Sequence, residues 1–357
     1  MTPLKNKKWL RKTLIRASIT LGALILAVGG YAGYLYYKAD DAIGKMSSHE
    51  PAATATPTAP AATNEGGAEP VKQDEYRPHT FLLAGIDHRV GSGGSLNTDV
   101  LMLGSINPGT HSASLVSLPR DLQLKPKTLS AHKANYYYAY FYNKDKETAL
   151  TETKAFYSEL FDFPIDYMVL INFDGLRKLV DAVGGLDIDV DMDMRYKDSA
   201  DGTDINLKKG LQHLDGKKVL DFVRYRKSNE GTQQSSDIAR NTRQQQVIKE
   251  LTDQLATFQG MTQWGKVLDL LGDNVKTDIP ESEMRQWIYG FNKVKPNTID
   301  MIPLESRWES PYIYVKEDDL KQALASLRTE VGLTHTGNLK LADVVGVDPS
   351  PDPDKSN

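Results

Sequence analysis

The most constraining feature of this chain is its beginning. Lys5, Lys7, Lys8, Arg11, Lys12 and Arg16 precede a run from Ala17 to Tyr37 that holds no charged residue. A helix of about 20 residues rises about 30 Å, the thickness of bilayer hydrocarbon, and this run has no polar face with which to sit on a soluble core. Residues 17–37 are therefore expected to form one transmembrane helix. A cleaved leader has a shorter apolar stretch followed by a small-residue cleavage site. Here the run leads straight into Lys38-Ala39-Asp40-Asp41, so the span is expected to stay as an anchor. The basic cluster before it, with Tyr31, Tyr34, Tyr36 and Tyr37 toward its far end, predicts a single-pass protein of the cell membrane. Residues 1–16 would lie in the cytoplasm and the rest outside.

The part outside must fold without staples. The 357 residues include no cysteine, which excludes disulfides, thiol catalysis and cysteine-bound zinc or iron–sulfur centres. Forty-three Lys+Arg against 47 Asp+Glu give a net charge of -4. A generic nucleic-acid binder, whose affinity rests on an overall positive field, is excluded too. From about Ser47 to Pro70 the chain is poor in large apolar residues and rich in Ala, Thr, Pro and Gly, too little to bury for folding. Residues 38–78 are expected to be a linker that lifts the next domain off the membrane. Residues 79–330 form the foldable unit, and 331–357, ending in the Pro/Asp-rich stretch Asp348 to Asn357, a flexible tail.

Three apolar runs open the foldable part: Phe81 to Ile86, Val100 to Leu103 and Ser114 to Leu118. Each has the length of a buried strand. Asp87 follows the first, then the loop Val90-Gly91-Ser92-Gly93-Gly94-Ser95; Asp99 precedes the second, and Pro119-Arg120-Asp121 follows the third. Successive antiparallel pairing brings Asp87, Asp99 and Arg120 to one edge. Two carboxylates beside a glycine-rich loop suit a hard cation such as Mg²⁺ bridging to phosphate oxygens, and Arg120 adds a planar donor fork. The alternative, that both aspartates only begin or end turns, stays open.

Farther on, Tyr167 to Ile171 reads as a buried strand, Leu176 to Val183 as a helix stopped by Gly184-Gly185, and Leu186 to Val190 as a strand. Asp189, Asp191 and Asp193 alternate without the glycine and distal glutamate of a calcium loop, so they read as a solvated face. Leu220 to Arg226 is read as a strand, which would put Arg224 and Arg226 on one side. Asp237 is positioned to cap a helix with the stripe Val247, Leu251, Leu255 and Phe258; extended backwards, the stripe meets Gln244 and Arg240. A cation facing the core in the first turns of a helix points to an anion pocket. Ion bridges to Asp221 and Asp237 are the competing reading, preferred for Arg243.

These residues together resemble the LytR-CpsA-Psr family. The resemblance runs from Gly85-Ile86-Asp87-His88-Arg89, through Ser117-Leu118-Pro119-Arg120-Asp121, Lys133-Ala134-Asn135, Val183-Gly184-Gly185 and Val223-Arg224-Tyr225-Arg226, to Arg240-Asn241-Thr242-Arg243-Gln244-Gln245. It covers about residues 79 to 330. It implies a single α/β domain with a central mixed β-sheet flanked by helices and a hydrophobic channel for a polyprenyl chain. The implied activity is transfer of a glycopolymer, such as a teichoic acid or capsular polysaccharide, from a polyprenyl diphosphate carrier to peptidoglycan, with polyprenyl phosphate leaving. By motif position Asp87 and Asp99 resemble the Mg²⁺-binding carboxylates. Arg120, Arg224, Arg226, Arg240 and Gln244 resemble the diphosphate-binding residues, with Arg89 and Lys133 beside them. Asp87 and Asp99 are also the candidates for a base toward the acceptor hydroxyl.

Two departures from the family pattern stand out. Asn97 occupies the place of a positive residue two positions before the second aspartate, leaving Arg89 as its substitute. The cluster Tyr136 to Tyr142 is also unusually aromatic; it either stacks on sugars or packs as a partly buried segment. Neither H-E-x-x-H nor G-x-S-x-G occurs, so zinc hydrolysis and the common serine triad have no support. A polyprenyl diphosphate hydrolase and a non-catalytic envelope-binding or regulatory protein remain the alternatives to a transferase.

Overall fold

The structure, a computed structural model, describes residues 29–47, 76–87, 96–199, 202–226, 228–235, 237–257, 263–334 and 340–348. The three apolar runs become strands β1 (His79–Ile86), β2 (Thr98–Asn107) and β3 (Ser112–Ser117), and they pair antiparallel in sequence order. Two short strands follow, β4 (Gln123–Leu124) and β5 (His132–Lys133), then β6 (Tyr167–Asn172), parallel to β1. With β11 (Val275–Thr277) and β12 (Thr298–Ile302) they complete a mixed six-stranded sheet in the order β11-β6-β1-β2-β3-β12. Between β6 and β11 lie β7 (Leu186–Val190), β8 (Met194–Asp198), β9 (Thr203–Leu207) and β10 (Gly210–Leu214), paired as β7/β10 and β8/β9. Strands β13 (Ser306–Glu309), β14 (Tyr312–Lys316) and β15 (Val347–Asp348) form a small sheet.

Helices cover both faces of the central sheet. On one, α2 (Tyr136–Lys144), α3 (Ala149–Phe161), α10 (Glu317–Glu330) and α11 (Leu341–Val344) close over Leu82, Ala84, Ile86, Leu101, Leu103 and Leu170. Each fully buried leucine here contributes roughly 1.5–3 kcal/mol relative to exposure. On the other side lie α4 (Phe173–Ala182), α5 (Gly216–Arg224), α6 (Asp237–Thr257) and α7 (Trp264–Asn274), which enclose a second core with β7, β8 and β9. Helices α8 (Glu281–Tyr289) and α9 (Phe291–Val294) follow β11. Helix α4 stops where the sequence says it should: Gly184 and Gly185 hold φ of 94° and 95°, which a side chain tolerates poorly.

Three expectations change. Leu220 to Arg224 is the end of helix α5, not a strand. Asp215 accepts a hydrogen bond from the Lys218 amide to start the helix, and Val219, Phe222 and Val223 are buried at helical spacing. Residues 38–47 are not linker: a helix over residues 29–46, α1, buries Ala39, Ala42, Ile43 and Met46 against α7, β11 and α8. Nor is the end of the chain free throughout, since Leu341, Val344 and Val345 are buried in the first core and β15 pairs with β14. Among the described residues no helix is long and apolar enough to cross a membrane; residues 17–28 of the expected span lie outside them, as do 48–75 of the expected linker.

Candidate active site

Asp87 sits just past the end of β1, and Asp99 lies beside it through an irregularity in the ladder. Gly85 faces Val100 whereas Ile86 faces Thr98, so Asp99 is an extra residue with no partner across the pair. Such a bulge re-aims a side chain at a sheet edge. The turn after β3 brings Arg120 to meet it, NH1 to Asp99 Oδ1 at 2.5 Å. The expected convergence of these three residues at one edge is what the pairing delivers.

Arg224 arrives from the last turn of α5 and binds Asp87, NH2 to Oδ2 at 2.6 Å. Its guanidinium lies 5.0 Å from the centre of the Phe173 ring. Gly85 makes room for that ring: a Cβ there would come within 2.8 Å of Phe173 Cε1. The glycine two residues before Asp87 thus admits the ring that supports the arginine bound to Asp87.

A residue the sequence analysis gave no role, Asp121, organises the other half. Its carboxylate holds Lys133 Nζ at 2.9 Å, Arg120 Nε at 3.6 Å and Arg226 NH2 at 3.9 Å. Lys133 is placed by the β4–β5 turn, whose backbone is tied down by Asn135 N to Arg120 O, Thr98 N to Asn135 O and the Tyr157 hydroxyl to Ala134 O. Its position directly after Arg120 was the only signal that could have singled Asp121 out. Arg120 Nε is buried and donates no hydrogen bond; the Asp121 carboxylate faces it at 3.6 Å.

Arg240 and Gln244 are buried on α6, which packs against α5 and β3; the expected stripe continues through buried Val247 to Leu251 and Leu255. Arg89 and Phe258 lie outside the described residues. Arg243 differs from expectation in its partner. It is 2% exposed and grips Asp191, rather than Asp221, through Nε and NH2, both at 2.7 Å. Asp191 is therefore more than part of a solvated face. Asp189 and Asp193 are exposed, as that reading requires.

Beside the charged edge opens a cavity of about 580 Å³. Ile86, the residue before Asp87, lines it together with Leu96, Tyr138, Tyr142, Leu150 and Leu170; Lys146, Glu147, Asp273 and Lys276 add a polar side. The aromatic cluster is thus a helix, α2, with Tyr137, Tyr138 and Phe141 buried. Burial pushes the Tyr137 hydroxyl up to about 12.

Among the described residues no group of three or more His, Asp or Glu could by itself hold a metal ion. Asp87 and Asp99 nonetheless fit Mg²⁺, which commonly takes one or two carboxylates and completes its shell with water and substrate phosphate. Both side chains are one-third exposed, and so accessible from outside.

Fold and site together define an α/β protein that gathers guanidinium, ammonium and carboxylate groups at one sheet edge, next to a cavity of about 580 Å³. The chain belongs to the LytR_cpsA_psr family, which it matches over residues 36–329. It is 31% identical over 320 residues to the polyisoprenyl-teichoic acid–peptidoglycan teichoic acid transferase TagU of Bacillus cereus, covering 88% of this chain and 96% of that one. It is 28% identical over 302 residues to the corresponding transferase TagV of Bacillus subtilis, covering 82% of this chain and 71% of TagV. The crystal structure of Bacillus subtilis TagV superimposes with a TM-score of 0.54 at 28% identity, over 72% of this chain and 99% of that one.

Proposed function

We propose that this protein transfers a glycopolymer, of teichoic acid or capsular type, from a polyprenyl diphosphate carrier to peptidoglycan, releasing polyprenyl phosphate. The observation that carries this reading is the set of paired charges at the sheet edge: Arg224 on Asp87, Arg120 on Asp99, and Lys133, Arg120 and Arg226 around Asp121. Phosphoryl transfer asks a protein chiefly for positioning and charge neutralisation, and the site is made of groups that do both. Arg120, Arg224 and Arg226, with Lys133, Arg240 and Gln244, hold the diphosphate; the guanidinium forks fix its orientation through paired hydrogen bonds. Asp87 and Asp99 would hold Mg²⁺, which supplies polarisation of the phosphate and stabilisation of the leaving charge. Ile86, Leu96, Leu150, Leu170 and the faces of Tyr138 and Tyr142 seat part of the isoprenoid tail. The apolar run at residues 17–37 anchors the enzyme in the cell membrane, with the domain outside, where carrier lipid and peptidoglycan meet.

The test is incubation of the full chain with labelled polyprenyl-diphosphate-linked polymer, peptidoglycan fragments and Mg²⁺. Label joined covalently to peptidoglycan, with polyprenyl phosphate released, is the expected result. Free polymer in place of the conjugate would mean that water is the acceptor and the enzyme a hydrolase. Intact donor would leave a binding protein and refute the catalytic reading.

A further inference from the structure

Helix α1, described from residue 29 in the uncharged run, ends inside the domain. Ala39, Ala42 and Ile43 are 2%, 0% and 0% exposed, and Ser47 bridges to Thr277 of β11. Helix α7 runs alongside α1 in the same direction at backbone distance. A Cβ on Gly265 would lie 2.7 Å from the Tyr34 hydroxyl, and one on Gly272 2.9 Å from Ala42 Cα. These glycines are seven residues apart and so face the same side of α7. Ion pairs Lys38–Asp269, at 2.8 Å, and Arg285–Asp40, at 2.7 Å, tie the same stretch to α7 and α8. A helix held at so many points is not the loose end of a tether.

Just below this joint the surface changes character. Of the seven large apolar or aromatic side chains exposed among the described residues, four are here: Tyr34, Tyr36, Tyr37 and Tyr289. Tyr289, at the end of α8 and more than 250 residues along the chain, stacks on Tyr36 with ring centres 5.6 Å apart and planes 2° from parallel. On α1 the charges begin immediately after, at Lys38, Asp40 and Asp41. Tyrosines between an apolar run and a charged zone are the pattern of a membrane–water interface, where an amphipathic ring keeps its body in the apolar layer and its hydroxyl among headgroups.

We propose that the end of α8 and the tyrosines of α1 form a lipid-docking face that holds the domain against the bilayer in one orientation. This rests on the reading that residues 17–37 span the membrane, and adds that the domain itself touches lipid through Tyr289. The consequence concerns the cavity. Ser47, Asp273 and Lys276, at the far ends of α1 and α7 and in β11, line it. Ten residues of helix separate Tyr37 from Ser47, about 15 Å at 1.5 Å per residue. The cavity therefore stands at a fixed height over the headgroups, and a carrier lipid must rise by that amount to reach it.

The chain has no cysteine, so single labels can be placed cleanly. Full-length protein carrying a fluorophore on Tyr289→Cys, or on Asn292→Cys, which leaves the tyrosine in place, is reconstituted in vesicles containing headgroup-nitroxide lipid. Leu211→Cys, exposed on β10, is the reference. Flotation with the vesicles tests the membrane reading separately: a chain that does not float refutes the anchor. For a chain that floats, the expected result is emission several-fold lower at 289 and 292 than at 211. Equal emission at all three sites, quenched or not, overturns the docking face. Gly272→Leu, which forces α1 from α7, is expected to abolish the difference while flotation persists.

Discussion

Lysine at position 243 gives the sharpest test of what the structure adds. Arg243 uses its whole fork. Besides the two bonds to Asp191, NH1 donates to Ser235 Oγ at 2.9 Å and to the Tyr225 carbonyl at 3.4 Å, and the guanidinium lies 5.6 and 5.8 Å from the Phe222 and Tyr225 rings. Arg243→Lys keeps the charge and one contact to Asp191, but an ammonium has no planar fork to span the rest. Losing one hydrogen bond to a charged group costs about 1.5–3 kcal/mol. Because the Asp191 side chain is 45% exposed, water replaces part of what is lost at that end, so about 2 kcal/mol is the working value. For a domain of this size that lowers the melting temperature by roughly 4–8 °C. Arg224→Lys is the comparator: its partner Asp87 is accessible, and the proposed function gives it the ligand as its task. It is expected to melt close to wild type but to bind polyprenyl diphosphate about tenfold more weakly or worse. The assay is a thermal melt and a lipid titration on both variants of the full chain. If Arg243→Lys melts with wild type, the fork that joins Asp191, Ser235 and the Tyr225 carbonyl does not stabilise the fold.

If Asp87 and Asp99 serve one metal–diphosphate unit, Asp87→Ala and Asp99→Ala each remove most transfer activity, and the double variant is little worse than either; multiplicative losses in rate assays would separate their roles. At His213 both ring nitrogens face acceptors, Nδ1 to Asp187 Oδ1 at 2.7 Å and Nε2 to the Gly184 carbonyl at 2.8 Å, and the Asp187 bond, followed by the carbonyl, raises its pKa above 6.5. Its stabilising contribution is therefore complete below about 6.5 and lost as pH rises through the higher folded-state value. The melting difference between wild type and His213→Gln should shrink from mildly acidic to mildly alkaline buffer; a constant difference would show that the ring acts only by packing.

Strands β1, β2 and β3 were legible because buried strands announce themselves as short apolar runs, and antiparallel succession then fixes which ends meet. The bulge at Asp99 was not legible, since one extra residue carries no composition of its own. Val223-Arg224-Tyr225-Arg226 alternates like a strand only over a short window; the wider spacing of Val219, Phe222 and Val223 favours a helix, and Asp215 caps it. The docking of α1 did leave a signal. Ala39, Ala42, Ile43 and Met46 recur at helical spacing, but two of the four are alanines, and next to a proline-rich stretch they read as linker. Asp121 was hidden for a different reason. Its role lies in the company it keeps, and Lys133 reaches it from strand β5 whereas Arg226 reaches it from just past helix α5, about a hundred residues farther on. Sequence can mark which residues carry charge, whereas pairing among charges is a property of the fold. For the proposed transferase that pairing would have a functional meaning: Asp87, Asp99 and Asp121 hold the cations in place, so a bound diphosphate would replace partners the site already has and would not have to organise it.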